Sequence, residues 1–310
     1  MLQNIVVLIV SLLILIWSCD YAIKNSIIVS KIFQIREIFI GIFIIAIGTS
    51  LPEFASTIQA VYLNSHEILA GNLIGSNIAN ILFCGGIMLF PLSKLVIHKS
   101  DYSSLIFFLV LSIFFFLLII FDQSLGLLHA LVFILLSIIF FYFELKKPLD
   151  EEVDFQPNKF STKVVPLLVL KIIIAFIALF YSSKFFISSA KNLTEIIGIA
   201  ETTVGITIVA FGTSLPEIVA TIISIIQKQN KLAIGNIIGS NIANIIGINL
   251  IAIFMLGDIN YFNLLSIIDK LIFLISALAF FLVLFLRIAG KLISIGLIVS
   301  YLAYFMYLYL

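Results

Sequence analysis

Apolar runs of roughly 20 residues, parted by short polar breaks, fill this chain from end to end. A helix needs about 20 mostly apolar residues to cross a hydrocarbon core of roughly 30 Å. Ten runs qualify: 2–23, 38–63, 68–92, 102–121, 125–144, 164–186, 203–227, 232–256, 270–286 and 291–309. The longest break, 146–163, holds Lys146, Lys147, Asp150, Glu151, Glu152, Asp154, Pro157, Lys159 and Lys163. Charged and proline-containing, it reads as a solvated linker too short to fold as a domain. The pattern predicts an all-α integral membrane protein with ten transmembrane helices.

Composition agrees. Hydrophobic residues make up 63% of the 310 and charged ones 11%, against about 45–50% and about 25% in soluble domains. A mean hydropathy of +1.28 makes lipid the solvent for most of the surface. The net charge of +1 gives no reason to expect a nucleic-acid partner, and no obligate protein partner is evident. Cys19 and Cys84 lie in apolar stretches without metal-ligand spacing and read as packed thiols. The start, Met-Leu-Gln-Asn, has no basic region and no small-residue cleavage site after the first run, so that run reads as a retained helix.

With ten crossings the breaks alternate between two sides. One side collects Lys24, Lys31, Arg36, Lys94, Lys99, the linker lysines, Lys228, Lys231, Arg287 and Lys291; the other has Lys184, Lys191 and Lys270. Lys171, two turns into span six, reads as snorkelling to the cytoplasmic end. The positive-inside rule makes the first side cytoplasmic, puts both termini outside, and suggests a multi-pass protein of the plasma (inner) membrane.

The chain also repeats itself. Residues 41–80 and 205–244 align without a gap at an offset of 164, since 205 − 41 = 164, with 21 of 40 positions identical. Upstream, Ser18, Ile35 and Glu37 match Ser182, Ile199 and Glu201. The expected division is 1–145 as a first five-helix repeat, 146–163 as cytoplasmic linker, and 164–310 as a second repeat. Five crossings per half is an odd number, so the halves must be inverted, an arrangement that places transport sites near the midplane where repeats meet. Duplication kept for packing would preserve size and apolarity. What is duplicated here is polar: Thr49, Ser50, Glu53, Asn72, Ser76, Asn77 and Asn80 against Thr213, Ser214, Glu217, Asn236, Ser240, Asn241 and Asn244.

Glu53 and Glu217 are the only acidic residues deep within the ten runs. A carboxylate at the bilayer centre costs about 2.5–3.5 kcal/mol on insertion scales. A cation between them would offset both costs, and their −2 neutralises one Ca2+ or two Na+. Hydroxyl, amide and carboxylate oxygens suit hard cations; no thiolate or imidazole is offered to softer ones. Ser50 and Glu53 are three apart and share a helical face, as do Ser76 with Asn80 and Ser240 with Asn244. Pro52 and Pro216 lack an amide hydrogen and crowd the carbonyls of Gly48 and Gly212, so each helix should break there. Carbonyls freed between Ala46 and Gly48, and between Ala210 and Gly212, could line the site. Gly71, Gly75, Gly235 and Gly239 are placed for close helix approach.

At Gly-Thr-Ser-Leu-Pro-Glu, 48–53 and 212–217, and Gly-Ser-Asn-Ile-Ala-Asn, 75–80 and 239–244, the chain resembles the sodium/calcium exchanger family. The resemblance implies an inverted five-plus-five fold with ion sites among spans two, three, seven and eight. It implies a ligand set of Thr49, Ser50, Glu53, Ser76, Asn80, Thr213, Ser214, Glu217, Ser240 and Asn244, with the Ala46 and Ala210 carbonyls. It further implies three Na+ exchanged for one Ca2+, and sliding of spans one and six across the bundle. Against −2, three Na+ leave +1 and one Ca2+ leaves zero, so exchange would be electrogenic. Several relatives carry Asp where this chain has Asn244.

The expected function is secondary active Na+/Ca2+ antiport by alternating access, with Na+ and Ca2+ as transported ions and no cofactor. The alternative is a related K+-dependent or H+-coupled divalent-cation exchanger. A channel would pass ions without a counter-ion gradient. An enzyme is not expected: no His-Glu-x-x-His and no intramembrane serine–histidine pair occur. Asp20 and Lys184, equivalent in the repeat, read as interfacial, as do His98 and His129; Tyr301, Tyr304, Tyr307 and Tyr309 read as an interfacial anchor.

Overall fold

The computed structural model describes residues 2–122, 124–147, 162–197 and 212–308. Among them the chain is helical throughout, with a lone antiparallel bridge between Leu125 and Ile259. The helices run α1 Leu2–Phe33, α2 Glu37–Thr49, α3 Leu51–Tyr62, α4 His66–Leu89, α5 Lys99–Phe121, α6 Leu127–Leu145, α7 Val165–Ile197, α8 Leu215–Ile226, α9 Asn230–Leu256, α10 Ile267–Phe285 and α11 Lys291–Tyr307. A single turn, Tyr261–Leu264, precedes α10.

Seven of these are long and apolar enough to cross a membrane, and α2 with α3 form an eighth as a pair bent by 42°. Helices α8 and α11 are shorter apolar segments. The expected span 203–227 is described only from residue 212 onward. Both α1 and α7 run well past the apolar stretches that predict them, because nothing in Lys24–Lys31 or Lys184–Ile197 stops a helix once the apolar part has ended.

Hydrocarbon cannot hydrogen-bond a peptide group, so each crossing satisfies its own backbone and presents apolar side chains outward. Inside, a large apolar cluster runs through α4, α5, α6, α9, α10 and α11 around Phe108, Phe115, Phe133, Phe273 and Phe280. A second joins α1, α2, α7 and α8 around Leu15, Ile23, Ile45 and Leu179. The longest helices, α1 and α7, pack chiefly on each other and expose large apolar residues such as Leu13, Trp17, Ile173 and Ile177.

Two glycine faces bring α2 against α9. A Cβ on Gly235 would lie 2.4 Å from the Ile38 carbonyl, and one on Gly239 would lie 2.5 Å from Ile42 Cα. Only hydrogen at those positions allows backbones so close. By the repeat offset, the counterparts of Ile38–Ala46 opposite Gly71 and Gly75 would be residues 202–210, which lie outside the described residues.

Arg36, assigned by the charge count to a cytoplasmic break, is in fact buried. Its guanidinium donates to Asp101 Oδ1 at 2.9 Å and to Glu144 Oε2 at 2.6 Å. Lys147 also pairs with Glu144, and Ser104 Oγ donates to it at 2.8 Å. The partners stand 65 and 108 residues from Arg36, so the ion pairs pin the start of α2 to α5 and α6. Two tyrosines of the expected interfacial anchor also point inward. Tyr301 packs on Phe83 at 5.4 Å between ring centroids, and Tyr304 donates to Asp269 Oδ1 at 3.1 Å, whereas Tyr307 is exposed. Asp269 and the Phe83 ring supply the partners that draw them in. Tyr309 lies outside the described residues. His129 closes the turn into α6, accepting from the Gly126 N–H at 3.2 Å and lying 3.2 Å from Asp122.

Candidate ion-binding site

Both Gly-Thr-Ser-Leu-Pro-Glu motifs build the same local structure. Ser50 has φ −82° and ψ 6°, and its repeat-mate Ser214 has φ −81° and ψ 3°. Neither value continues an α-helix, so the chain kinks at the serine and restarts with proline in the first turn. Each glutamate then falls in the first turn of its new helix, Glu53 in α3 and Glu217 in α8. There the positive end of the helix dipole favours a carboxylate.

The Gly-Ser-Asn-Ile-Ala-Asn motifs end in another deviation. Residues Ala79–Cys84 in α4 and Asn244–Ile248 in α9 form wide π-helical turns. Such turns insert an extra residue and commonly mark functional sites in helices. Here they hold Asn80 and Asn244.

These elements converge. Glu53 and Glu217 are both 0% exposed. Ser50 Oγ donates to Glu217 Oε1 at 3.0 Å, and Ser240 Oγ reaches the same oxygen at 3.4 Å. Thr49 Oγ1 lies 3.3 Å from Asn236 Oδ1 and 3.4 Å from Ser240 Oγ, tying the α2 break to α9. Asn72 Nδ2 donates to the Glu53 carbonyl at 3.1 Å, and Asn236 Nδ2 to the Glu217 carbonyl at 3.5 Å. These amides brace the two glutamate-bearing turns rather than face the carboxylates. Asn77 and Asn241 likewise return their amides to Leu73 and Ile237, at 2.6 and 2.7 Å, within their own helices.

Several buried polar atoms keep no protein partner: both carboxylate oxygens of Glu53, Oε2 of Glu217, Ser214 Oγ, Asn80 Nδ2, and both side-chain atoms of Asn244. A buried carboxylate without partners is among the costliest groups a protein can hold. The oxygens among them, on Glu53, Glu217, Ser214 and Asn244, are of the kind a hard cation prefers. Among the described residues no cluster of three or more His, Cys, Asp or Glu that could hold a metal occurs.

Thr49, Ser50, Glu53, Ser76, Asn80, Thr213, Ser214, Glu217, Ser240 and Asn244 are all buried. Ser76 lies 3.5 Å from Asn72 Oδ1. The Ala46 carbonyl already accepts from Ser50 N–H at 3.0 Å and faces Thr49 Oγ1 at 3.1 Å, so to serve as a ligand it would need the threonine to turn away. Ala210 lies outside the described residues. The carbonyl of Gly212, which Pro216 leaves without its helical donor, faces Ser183 Oγ of α7 at 3.4 Å. Sequence reasoning missed that contact, and it also read Asp20 as interfacial. Asp20, whose side chain stays part-exposed, also accepts on Oδ1 from Gln227 Nε2 at 2.7 Å, across to the end of α8. A long-range partner of this kind leaves no local signature.

Comparison with known proteins places these features in context. The family described as sodium/calcium exchanger protein matches residues 3–146 and again 167–310. An uncharacterized membrane protein of Methanocaldococcus jannaschii is 31% identical over 236 residues, covering 76% of each chain. The sodium/calcium exchanger MaX1 of Methanosarcina acetivorans is 28% identical over 289 residues, covering 78% of this chain and 80% of its own. Among solved structures, the sodium-calcium exchanger NCX_Mj superposes with a TM-score of 0.85 at 25% identity, covering 99% of each chain.

Proposed function

The chain belongs to the sodium/calcium exchanger family, and from that premise we propose that it is a multi-pass membrane antiporter exchanging Na+ for Ca2+ at Glu53 and Glu217. The observation that carries the reading is the pair of fully buried carboxylates, related by the repeat and left with three unpartnered oxygens. Their combined −2 is met by one Ca2+ or by Na+ ions. Oxygens of Thr49, Ser50, Ser76, Asn80, Thr213, Ser214, Ser240 and Asn244 complete the shell. Carbonyls at Ala46 and Ala210 would join when an ion draws them in.

In this reading α8, with the residues before it, makes the seventh of ten crossings, and 1–145 and 164–310 are inverted halves joined by a cytoplasmic linker at 146–163. Both termini lie outside. Alternating access follows if the site faces one side and then the other while the carboxylates stay put. Each broken helix supplies a flexible joint beside its glutamate, so the site can be remade around Na+ or Ca2+ without moving a charge through lipid. With three Na+ per Ca2+ each cycle carries one net charge.

Purified protein in liposomes, with Na+, K+ and H+ gradients imposed separately, tests the assignment. An outward Na+ gradient should drive 45-calcium uptake. Uptake indifferent to Na+ but driven by a pH gradient would overturn it.

A further inference from the structure

Many buried hydroxyls in this chain share one habit. Ser18, Thr57, Ser112, Ser182 and Ser276 each give their proton to a carbonyl three or four residues earlier. In a helix surrounded by lipid this is the nearest acceptor available. Others reach across to another helix, as Ser104 does to Glu144 and Ser294 to the Gly86 carbonyl, but four serine and threonine hydroxyls among the described residues do neither. Ser26, Ser214, Thr221 and Ser224 are each 0% exposed and have no partner.

Three of the four belong to one stretch. Ser214 is the residue at which α8 begins, and Thr221 and Ser224 follow Glu217 by four and seven positions, on its face. A file of unpaired oxygens therefore leads from the carboxylates along α8, with steps of about 6 and about 4.5 Å along the axis. Ser26 lies seven residues beyond Cys19 on α1, and Cys19 Sγ sits 3.9 Å from the Pro216 carbonyl. Ser26 is thus on the α1 face turned toward α8. At the far end of α8 the Asp20–Gln227 hydrogen bond joins α1 to α8, and Lys24 Nζ holds the other Asp20 oxygen at 2.7 Å.

Duplication did not create this file. Thr57, the mate of Thr221, is engaged with the Glu53 carbonyl at 2.8 Å and with Asn72 Nδ2 at 3.2 Å. The mates of Ser224, Gln227 and Asp20 are Ala60, Leu63 and Lys184. The polar file and its closing contact occur on one half alone, on the side to which Lys228 and Lys231 assign the cytoplasm.

We infer that the α8 face bearing Thr221 and Ser224 is the ion's route between the carboxylate pair and the cytoplasmic side, with the Asp20–Gln227 hydrogen bond closing its mouth. The inference rests on the antiport reading and on that assignment of sides. Neutral oxygens at helical spacing stand in for waters that a cation sheds on its way inward. In the present conformation the file is shut, since Val219, Ala220 and Ile223 on its flank are packed with α1 and α2.

Ser224→Cys and Thr221→Cys, each in the full chain in liposomes of known orientation, test this with a membrane-impermeant thiol reagent and peptide-resolved mass measurement. Both positions should be labelled from the linker side and spared from the opposite side. The wild-type chain, with its buried Cys19 and Cys84, gives the background labelling against which each variant is read. Adding Gln227→Leu should speed labelling roughly 2–10-fold, the net worth of one hydrogen bond. Labelling from the opposite side, or from neither, would overturn the inference, as would a rate unchanged by Gln227→Leu. Because the readout is mass, it stays interpretable if the wild-type chain fails to exchange Na+ for Ca2+; that failure would sink the antiport reading instead.

Discussion

At the scale of single residues the proposed site turns on what its carboxylates lack. Glu53→Gln and Glu217→Gln each remove one of two charges while keeping shape. Either should reduce Na+-driven calcium uptake at least roughly 100-fold, the scale of about 2.7 kcal/mol, with the protein still folded by size-exclusion profile. Calcium at about a hundred-fold excess over Kd should stabilise the wild-type chain by about 2.7 kcal/mol, read as a rise in Tm. The two variants should lose that rise. Asn244→Asp tests the neighbouring amide, whose side-chain atoms have no partner. A third carboxylate makes the site −3, so the ratio of Na+-driven to Ca2+/Ca2+ exchange should change; identical ion selectivity and pH profile would remove Asn244 from the ligand set.

At the scale of elements the contact between α2 and α9 positions Thr49 against Asn236 and Ser240. Gly235→Val would drive a side chain into the Ile38 carbonyl, 2.4 Å from where its Cβ must sit. Overpacking of this kind costs about 1–3 kcal/mol. Thermal unfolding should fall accordingly, and exchange should fall further than stability because the crossing aligns ligands from both repeats. This scale also shows what could be read from the residues in order. The breaks at Ser50 and Ser214 were legible, because proline and the repeat announce them locally. The burial of Arg36, the inward turn of Tyr301 and Tyr304, and the Asp20–Gln227 bond were not. Each depends on partners brought together only by packing, and a lysine or arginine in a short break looks the same whether it meets water or Glu144. Nor could spacing reveal that Asn72 and Asn236 would brace backbone carbonyls while Asn80 and Asn244 kept unpartnered atoms.

For the whole molecule, the fold class and the family were readable because lipid limits the choices: long apolar helices, and polar groups only where they have work. The −2 of the paired carboxylates bears on a further property, net charge movement. If three Na+ pass for each Ca2+, a membrane potential of 100 mV contributes about 2.3 kcal/mol per cycle. Clamping the potential with valinomycin and K+ should then shift the Na+ gradient at which net calcium flux reverses. A reversal point insensitive to potential would indicate electroneutral exchange.

The wide turns at Ala79–Cys84 and Asn244–Ile248 bear on how such a protein can be altered. Each holds one residue more than an ordinary turn, so losing a single position there can be absorbed by reversion to α-helix, whereas the same loss in a regular stretch turns everything downstream by about 100°. A one-residue excision inside either turn should therefore leave the helix folded and its far half in place while altering exchange, whereas an excision one turn away should unfold or misplace the segment; thermal stability and uptake measured together would separate the two.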